Sequence, residues 1–281
     1  MRLIRFGEPG LEKPGVVLEN GTRLDVSAFV RDYDEAFFAN QGIEELRAKL
    51  SSAPRVDQSI RLGPPICRPS KIVCIGLNFR DHAKESKMQA PNEPVIFFKA
   101  TSSLVGPNDD LVIPRNASKV DWEVELAVVI GRRASYIAKE QALDYVAGYA
   151  LHNDYSERSF QLERGGQWVK GKSADTFAPL GPFLVTSDEM SDPGRLGMWL
   201  KVNGEFRQKS STSQMIFDVP TLVSYVSQFM SLLPGDVIST GTPAGVALGQ
   251  NPPQYLKPGD VVEWGIDGLG ESRQTVTAWR P

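Results

Sequence analysis

The chain has 281 residues, of which 41% are hydrophobic and 23% are charged, and its formal net charge is −3. These values are typical of a globular protein with one large domain and a small accessory one. The negative charge argues against a basic nucleic-acid-binding face, and no apolar run approaches the roughly 20 residues of a membrane span. The N-terminal segment lacks the apolar stretch of a signal peptide, and Cys67 and Cys74 fit neither a disulfide framework nor a zinc site, so we expect a cytoplasmic protein.

The first 65 residues predict a small α/β accessory domain. Two short β-rich stretches flank Asn20-Gly21, a dipeptide that favours a type I′ hairpin turn. Apolar residues at helical spacing predict a helix over residues 42–50. A glycine and two prolines then stop regular structure, so we predict that a catalytic domain covers residues 66–281.

Beyond this boundary, short apolar runs rich in β-branched and aromatic residues predict strands. A second turn dipeptide, Asn203-Gly204, predicts another hairpin. Helical spacing appears only over residues 138–146 and 221–232. Many strands with few helices predict an α+β fold that is mostly β. The predicted strands cover residues 72–75, 95–98, 124–130, 149–154, 183–185, 200–202 and 261–264.

Two carboxylates share one face of the predicted strand over residues 124–130. Side chains at i and i+2 of a strand point to the same side, so Glu123 and Glu125 project together. At a half-buried site they need a cation or a shared proton, and Asp154 ends another β-like run. Three carboxylates without a cysteine favour a hard cation such as Mg²⁺, Mn²⁺ or Ca²⁺. Alternatively, the glutamates lie on the wet face of an edge strand.

A histidine and a glutamate lie one helical turn apart. If Asp81 opens a short helix, His82 and Glu85 are neighbours at i and i+3. A carboxylate beside an imidazole fixes its tautomer and raises its basicity, as a general base requires. The alternative is a solvated ion pair on a surface turn. The second histidine, His152, lies in an apolar run and is interpreted as a packed side chain.

Residues 166–173 match the pattern of a phosphate-binding P-loop, with two glycines enclosing four residues before Lys-Ser. Such a loop requires a buried strand before it and a helix that opens at the lysine. Here the preceding stretch is charged and helical in pattern, and prolines follow. A P-loop nucleotide hydrolase is therefore not expected.

From about Lys71 to its end, the chain resembles the fumarylacetoacetate hydrolase family. The resemblance rests on five segments in the family's order, and together they are far more specific than any one of them. These segments are residues 76–85, 121–125, 153–158 with Gln161, 170–177 and 239–246.

The resemblance implies a mixed β-roll or sandwich, usually a homodimer, that holds Mg²⁺ or Mn²⁺, with Ca²⁺ as a non-catalytic occupant. Full-length members add a fourth carboxylate ligand, which has no counterpart here, so the chain resembles the shorter bacterial branch. In that branch the segment with the histidine is often a mobile lid. The implied metal ligands are Glu123, Glu125 and Asp154, the catalytic residues His82, Glu85 and Lys172, and the substrate-binding residues Arg158, Gln161 and Thr242.

The implied activity is hydrolytic cleavage of a C–C bond in a 2,4-diketo acid, either an acylpyruvate or a diketo-deoxy sugar acid. The expected partner is a small dicarboxylate or keto acid, with no nucleic acid and no membrane. A metal-stabilised enolate serves several related reactions. Oxaloacetate-type decarboxylation, isomerisation of aromatic ring-cleavage products and ureidoglycolate lyase activity therefore remain alternatives.

Overall fold

The computed structural model describes residues 1–86 and 89–280. Residues 87, 88 and 281, which belong to the predicted catalytic domain, lie outside these ranges. Within the described ranges, no helix is long and apolar enough to cross a membrane. The α-helices there are α1 (Glu35–Ala39), α2 (Gly42–Arg47), α3 (Arg80–Glu85), α4 (Arg158–Leu162), α5 (Val169–Lys172) and α6 (Val219–Val226). The strands are β1 (Arg2–Phe6), β2 (Lys13–Val17), β3 (Arg23–Asp25), β4 (Arg55–Val56), β5 (Leu62–Gly63), β6 (Ile72–Gly76), β7 (Val95–Lys99), β8 (Leu104–Val105), β9 (Leu111–Ile113), β10 (Val120–Asp121), β11 (Val124–Ile130), β12 (Val146–Asn153), β13 (Ser156–Glu157), β14 (Ala178–Thr186), β15 (Gly197–Val202), β16 (Glu205–Ser211), β17 (Val237–Ser239), β18 (Val261–Ile266) and β19 (Gly270–Ala278).

Most of these strands form two mixed sheets. The larger follows the order β4-β3-β2-β1-β14-β12-β11-β17-β6-β7, and the smaller follows β16-β15-β18-β19-β9. Leu126 and Leu151 of the large sheet share one hydrophobic core with Leu200 and Trp264 of the small sheet. The prediction of an α+β, mostly-β fold is therefore confirmed.

The N-terminal strands extend the large sheet. Strand β1 pairs antiparallel with β14, with Leu3 opposite Leu184. Val16 and Tyr33 pack in a second core together with Ala127 from the central strand β11. The two faces of β11 therefore contact two different cores, and both faces are buried. The domain boundary at residue 65 remains a prediction.

The two Asn-Gly turns differ. Asn203 and Gly204 both have positive φ angles, 53° and 80°, as a type I′ turn requires, and they form the predicted turn between β15 and β16. At the first turn only Gly21 has a positive φ, 82°, so the type I′ prediction there was wrong. The Asn20 side chain instead accepts a hydrogen bond from the Thr22 amide at 3.0 Å, which holds a longer loop between β2 and β3.

The helical segments are shorter than their apolar spacing predicted. The predicted helix over residues 42–50 is α2, which ends at Arg47, and Lys139–Tyr145 is a 3₁₀ helix. Helix α6 begins after Asp218, which caps the Thr221 amide at 2.9 Å, and it ends at Val226. Beyond the helix, Leu232 forms a β-bridge with Ala134, so the last residues of the predicted helix are not helical.

Asn78 connects three separate segments just before α3. Its side chain donates to the carbonyl oxygens of Phe217 at 3.0 Å and Thr240 at 2.8 Å, and it accepts from the Phe217 amide at 2.8 Å. The residue is fully buried, so each of these hydrogen bonds would leave an unsatisfied backbone group if it were removed.

We therefore expect Asn78→Ala to lower the free energy of unfolding by about 2–4 kcal/mol in urea denaturation. The control is Asn20→Ala, which removes one exposed hydrogen bond and should change stability by about 0.5 kcal/mol or less. Equal effects of the two substitutions would contradict this role of Asn78.

Candidate metal and substrate site

The three predicted metal ligands lie together. One oxygen from each of Glu123, Glu125 and Asp154 lies within 4.8 Å of the others. Glu123 precedes β11 and Asp154 follows β12, and these antiparallel strands pair Val124 with Asn153. Glu123 and Glu125 are 6% and 1% exposed, and β11 lies between β12 and β17. The alternative of a wet edge strand was therefore wrong.

Three cationic side chains surround two of the carboxylates. Lys172 Nζ donates to Glu123 Oε2 at 2.8 Å and to Asp154 Oδ2 at 2.9 Å. Lys99 Nζ lies 2.5 Å from Asp154 Oδ1, and Arg158 Nη2 lies 2.7 Å from Glu123 Oε1. Burial alone would raise the pKa of both acids. The Lys172 cation opposes this effect, and the pKa of each acid lies below its usual value. Arg158 adds to the lowering at Glu123, and Lys99 adds to it at Asp154.

Glu125 has no cationic partner among the described residues. The Ser239 hydroxyl and the Gly241 amide, the latter at 2.8 Å, both donate to its Oε2 atom. Burial raises the pKa of Glu125 well above its usual value, and the nearby Asp154 and Glu123 raise it further. Its Oε1 atom accepts no hydrogen bond from the described part of the chain.

The donor set fits a hard divalent cation. Within the described ranges, four buried carboxyl groups face three buried cations, so ionisation of all four would leave one negative charge in excess. Clustered carboxylate oxygens are the ligands that Mg²⁺ and Mn²⁺ prefer, and Glu125 has an oxygen available. The carboxylates are Asp121, Glu123, Glu125 and Asp154, and the cations are Lys99, Arg158 and Lys172.

His82 and Glu85 form the predicted pair on α3. His82 Nδ1 lies 3.3 Å from Glu85 Oε2. The Gly245 amide reaches the two Glu85 oxygens at 3.0 and 3.1 Å, and a Cβ atom at Gly249 would lie 2.7 Å from the Glu85 carboxyl carbon. The side chains of His82 and Glu85 are only 16% and 23% exposed, so the alternative of a solvated surface pair was wrong. Gly245 and Gly249 thus hold the Glu85 carboxylate, and Glu85 in turn holds the His82 imidazole at the pocket.

One pocket of about 370 Å³ contains most of the predicted site. Glu85 and Asp154 do not line it directly, but they contact side chains that do. The predicted residues that line it are His82, Glu123, Glu125, Arg158, Gln161, Lys172 and Thr242.

The predicted substrate-binding residues are held by partners of their own. Gln161 accepts a hydrogen bond from Arg158 Nη1 at 3.0 Å. The Thr242 hydroxyl donates to the Val124 carbonyl at 3.0 Å and accepts from Gln208 at 2.8 Å. The only proton of the Thr242 hydroxyl is therefore in use, so toward a ligand this oxygen could act only as an acceptor.

The segment that resembles a P-loop has a different structure. Helix α4 precedes it, where a phosphate-binding loop requires a buried strand, and Lys172 ends the four-residue helix α5 inside the carboxylate cluster. The expectation against a nucleotide site is therefore supported by the fold. His152 is buried, and its Nδ1 lies 2.9 Å from the Pro179 carbonyl oxygen. Burial lowers the pKa of His152 to about 4, as expected for a packed, neutral imidazole.

Three residues of the site were missed in the sequence. Lys99 directly follows the predicted strand over residues 95–98 but lies 55 positions before its partner Asp154. Asp121 accepts from Arg158 Nε at 2.8 Å and from the Ala247 amide at 2.7 Å. Ser239 donates to Glu125. Asp121 and Ser239 stand inside the segments that carry the family resemblance, which is the one signal that could have identified them.

The family follows from comparison with known sequences. The sequence pattern described as "Fumarylacetoacetate (FAA) hydrolase C-terminal" matches residues 71–277. The chain belongs to this family. A Burkholderia multivorans protein named "Putative hydrolase" is 50% identical over 282 residues and covers 100% of both chains.

Solved structures of family members share the fold. A fumarylacetoacetate hydrolase from Exiguobacterium antarcticum has a TM-score of 0.88 at 39% identity, covering 99% of this chain and 100% of its own. A maleylpyruvate hydrolase from Sphingobium sp. SYK-6, in complex with manganese(II) and pyruvate, has a TM-score of 0.83 at 30% identity, and a 2-hydroxyhepta-2,4-diene-1,7-dioate isomerase from Mycobacterium marinum has 0.78 at 34%. Each of these two comparisons covers 100% of both chains.

Glu125→Gln tests the metal site. We expect the metal-free variant to be at least as stable as the wild type, because a neutral amide replaces a charge that burial and two neighbouring acids disfavour. Its affinity for Mn²⁺ should fall by at least about tenfold, which reduces the rise in melting temperature that Mn²⁺ produces. Glu163→Gln, on an exposed carboxylate, is the control. An undiminished Mn²⁺ response in Glu125→Gln would exclude this carboxylate as a ligand.

Proposed function

We propose that this protein is a metal-dependent hydrolase that cleaves a C–C bond of a 2,4-diketo acid. The observation that carries the proposal is a single pocket lined both by acidic metal-ligand candidates and by a carboxylate-oriented histidine. The manganese and pyruvate bound to the Sphingobium relative support the same reading, since pyruvate is the product of acylpyruvate cleavage.

Glu123, Glu125 and Asp154 are the residues that would hold Mg²⁺ or Mn²⁺. When bound, such a cation supplies Lewis-acid charge next to two oxygens of a chelating keto acid. Because only these three side chains would hold the cation, a substrate and water could also bind to it. Glu125, which has hydrogen-bond donors but no cationic partner among the described residues, supports this assignment.

The His82–Glu85 pair would supply the general base. Glu85 accepts from Nδ1 of His82, which leaves Nε2 free to take a proton from a water molecule. The hydroxide equivalent adds to the C4 carbonyl, the C3–C4 bond breaks, and its electron pair remains on C3. Protonation of C3 then gives pyruvate, and the acyl group leaves as a carboxylic acid, so that one water is consumed for each bond cleaved.

Lys172 would stabilise the negative charge that develops on the substrate. Burial lowers the pKa of Lys172, but Asp154 and Glu123 outweigh that effect and raise it, so the ammonium group stays protonated. A fixed cation in a buried site interacts strongly with an oxyanion or with the substrate carboxylate. Arg158 would act by positioning, because its Nη2 atom donates to Glu123 at 2.7 Å and holds that carboxylate in place.

Isomerisation is the second candidate, because a structural relative at 34% identity is named as an isomerase of a dienedioate. The same base and the same enolate-stabilising charges would move a proton between carbon atoms without adding water. Product analysis separates the two reactions, since hydrolysis releases pyruvate and isomerisation retains every carbon atom. A homodimer and a cytoplasmic location remain predictions, and light scattering tests the first.

His82→Ala tests the proposed general base. With acetylpyruvate and Mn²⁺, we expect kcat to fall about 10²–10⁴-fold, while the rise in melting temperature with Mn²⁺ is retained. Lys84→Ala, on an exposed residue of the same helix, should keep activity near that of the wild type. Near-wild-type turnover by His82→Ala would remove the histidine from the mechanism, and an absence of pyruvate with the wild type would reject the hydrolase.

A further inference from the structure

The pocket that holds the carboxylates also has an extensive apolar lining. Phe97 lies beneath Lys172, whose Nζ atom is 5.0 Å from the ring centroid, and Trp168 packs edge-on against Phe97 at 5.3 Å. A Cβ atom at Gly76 would lie 2.8 Å from the Trp168 ring, so the glycine lets the indole lie against β6. An aromatic wall therefore leads away from the charged end of the site.

Two leucines at the pocket are exposed to solvent. Leu162 at the end of α4 is 47% exposed, and Leu248 in the 3₁₀ turn Ala247–Gly249 is 43% exposed. Large apolar side chains that converge with aromatic ones on a concave site favour contact with an apolar ligand. A ligand that covers Leu162 and Leu248 would remove this apolar area from water.

The cations that line the pocket are already paired. All three guanidinium nitrogens of Arg158 donate to Asp121, Gln161 or Glu123, at 2.8, 3.0 and 2.7 Å. The Lys172 ammonium group is held between two carboxylates. Among the described lining residues, no other lysine or arginine is available for a second carboxylate of a substrate. A diacid would therefore place its second charge beside the leucine and tryptophan side chains, which displace part of its hydration shell and offer no opposite charge.

We infer that the substrate of this pocket is a 2,4-diketo acid whose acyl end is apolar and uncharged, an alkyl or aryl group rather than a second carboxylate. Leu162, Trp168 and Leu248 are the residues that select it. This inference rests on the proposed function, because the pyruvyl end must lie at the carboxylate cluster for the acyl end to reach the aromatic wall. The expected substrate was a small dicarboxylate or a keto acid, and this inference excludes the dicarboxylates.

A matched pair of substrates tests the inference. The compounds 2,4-dioxooctanoate and 2,4-dioxooctanedioate differ only in whether the acyl end carries a carboxylate. With Mn²⁺, we expect the wild-type kcat/KM to favour the monoacid by about 100-fold or more, because the second carboxylate of the diacid loses part of its hydration beside apolar side chains. A wild-type preference for the diacid would overturn the inference while leaving the proposed hydrolase in place.

Introducing a cation should change this preference. We expect Leu162→Arg, and independently Leu248→Arg, to reduce the monoacid-to-diacid ratio by at least about tenfold by raising kcat/KM for the diacid. The control is Leu143→Arg, on a leucine that is 46% exposed and lies outside the pocket, and it should retain the wild-type ratio. Unchanged ratios in both pocket variants would overturn the assignment of these leucines.

Binding distinguishes a failed inference from a failed function. The 2-oxo acids 2-oxooctanoate and 2-oxooctanedioate lack the C4 carbonyl that the water would attack, so they bind without being cleaved, and calorimetry with Mn²⁺ measures their affinity directly. Tighter binding of the monoacid by at least about tenfold supports the apolar acyl site even if neither dioxo acid is hydrolysed. Tighter binding of the diacid contradicts it, whatever reaction the enzyme performs.

Discussion

The structure depends on the close approach of three carboxylates in a region with almost no solvent. Glu123, Glu125 and Asp154 repel one another, and burial adds to the free energy required to charge them. The chain offsets this for Glu123 and Asp154 with lysine and arginine side chains, but it leaves Glu125 with hydrogen-bond donors only. That imbalance is what a divalent cation would correct, and it links the fold to the proposed chemistry.

The sheet creates this imbalance through the register of two central strands. The Asp154 amide donates to the Glu123 carbonyl at 2.9 Å, and the Glu123 amide donates to the Asn153 side chain at 2.9 Å, so the pairing of β11 with β12 continues to the carboxylates. Along β11 the residues on the same face as Glu125 are Ala127 and Val129, which lie in a buried core. The acidic site is therefore the polar end of an apolar row, and the packed sheet fixes its geometry.

Much of this arrangement was readable in the sequence because it depends on local spacing. The i, i+2 rule placed Glu123 beside Glu125, and the i, i+3 rule placed His82 beside Glu85, and both neighbour relations hold in the structure. Spacing alone could not show whether either pair was buried, because burial depends on which strands flank β11 and on where α3 packs. Lys99 was missed for the same reason, since no local pattern connects β7 to a carboxylate 55 residues later. At the first Asn-Gly turn the local dipeptide rule itself gave the wrong turn type. There the Asn20 side chain accepts a hydrogen bond from the Thr22 amide within a longer loop.

The proposed function requires one cation bound by one set of carboxylate oxygens, and anomalous diffraction at the manganese edge tests this directly. Crystals grown with MnCl₂ should give a single strong peak in this pocket. We expect it about 2 Å from a carboxylate oxygen of each of Glu123, Glu125 and Asp154. A peak bound by other side chains, or no peak in crystals that diffract well at saturating Mn²⁺, would contradict the account.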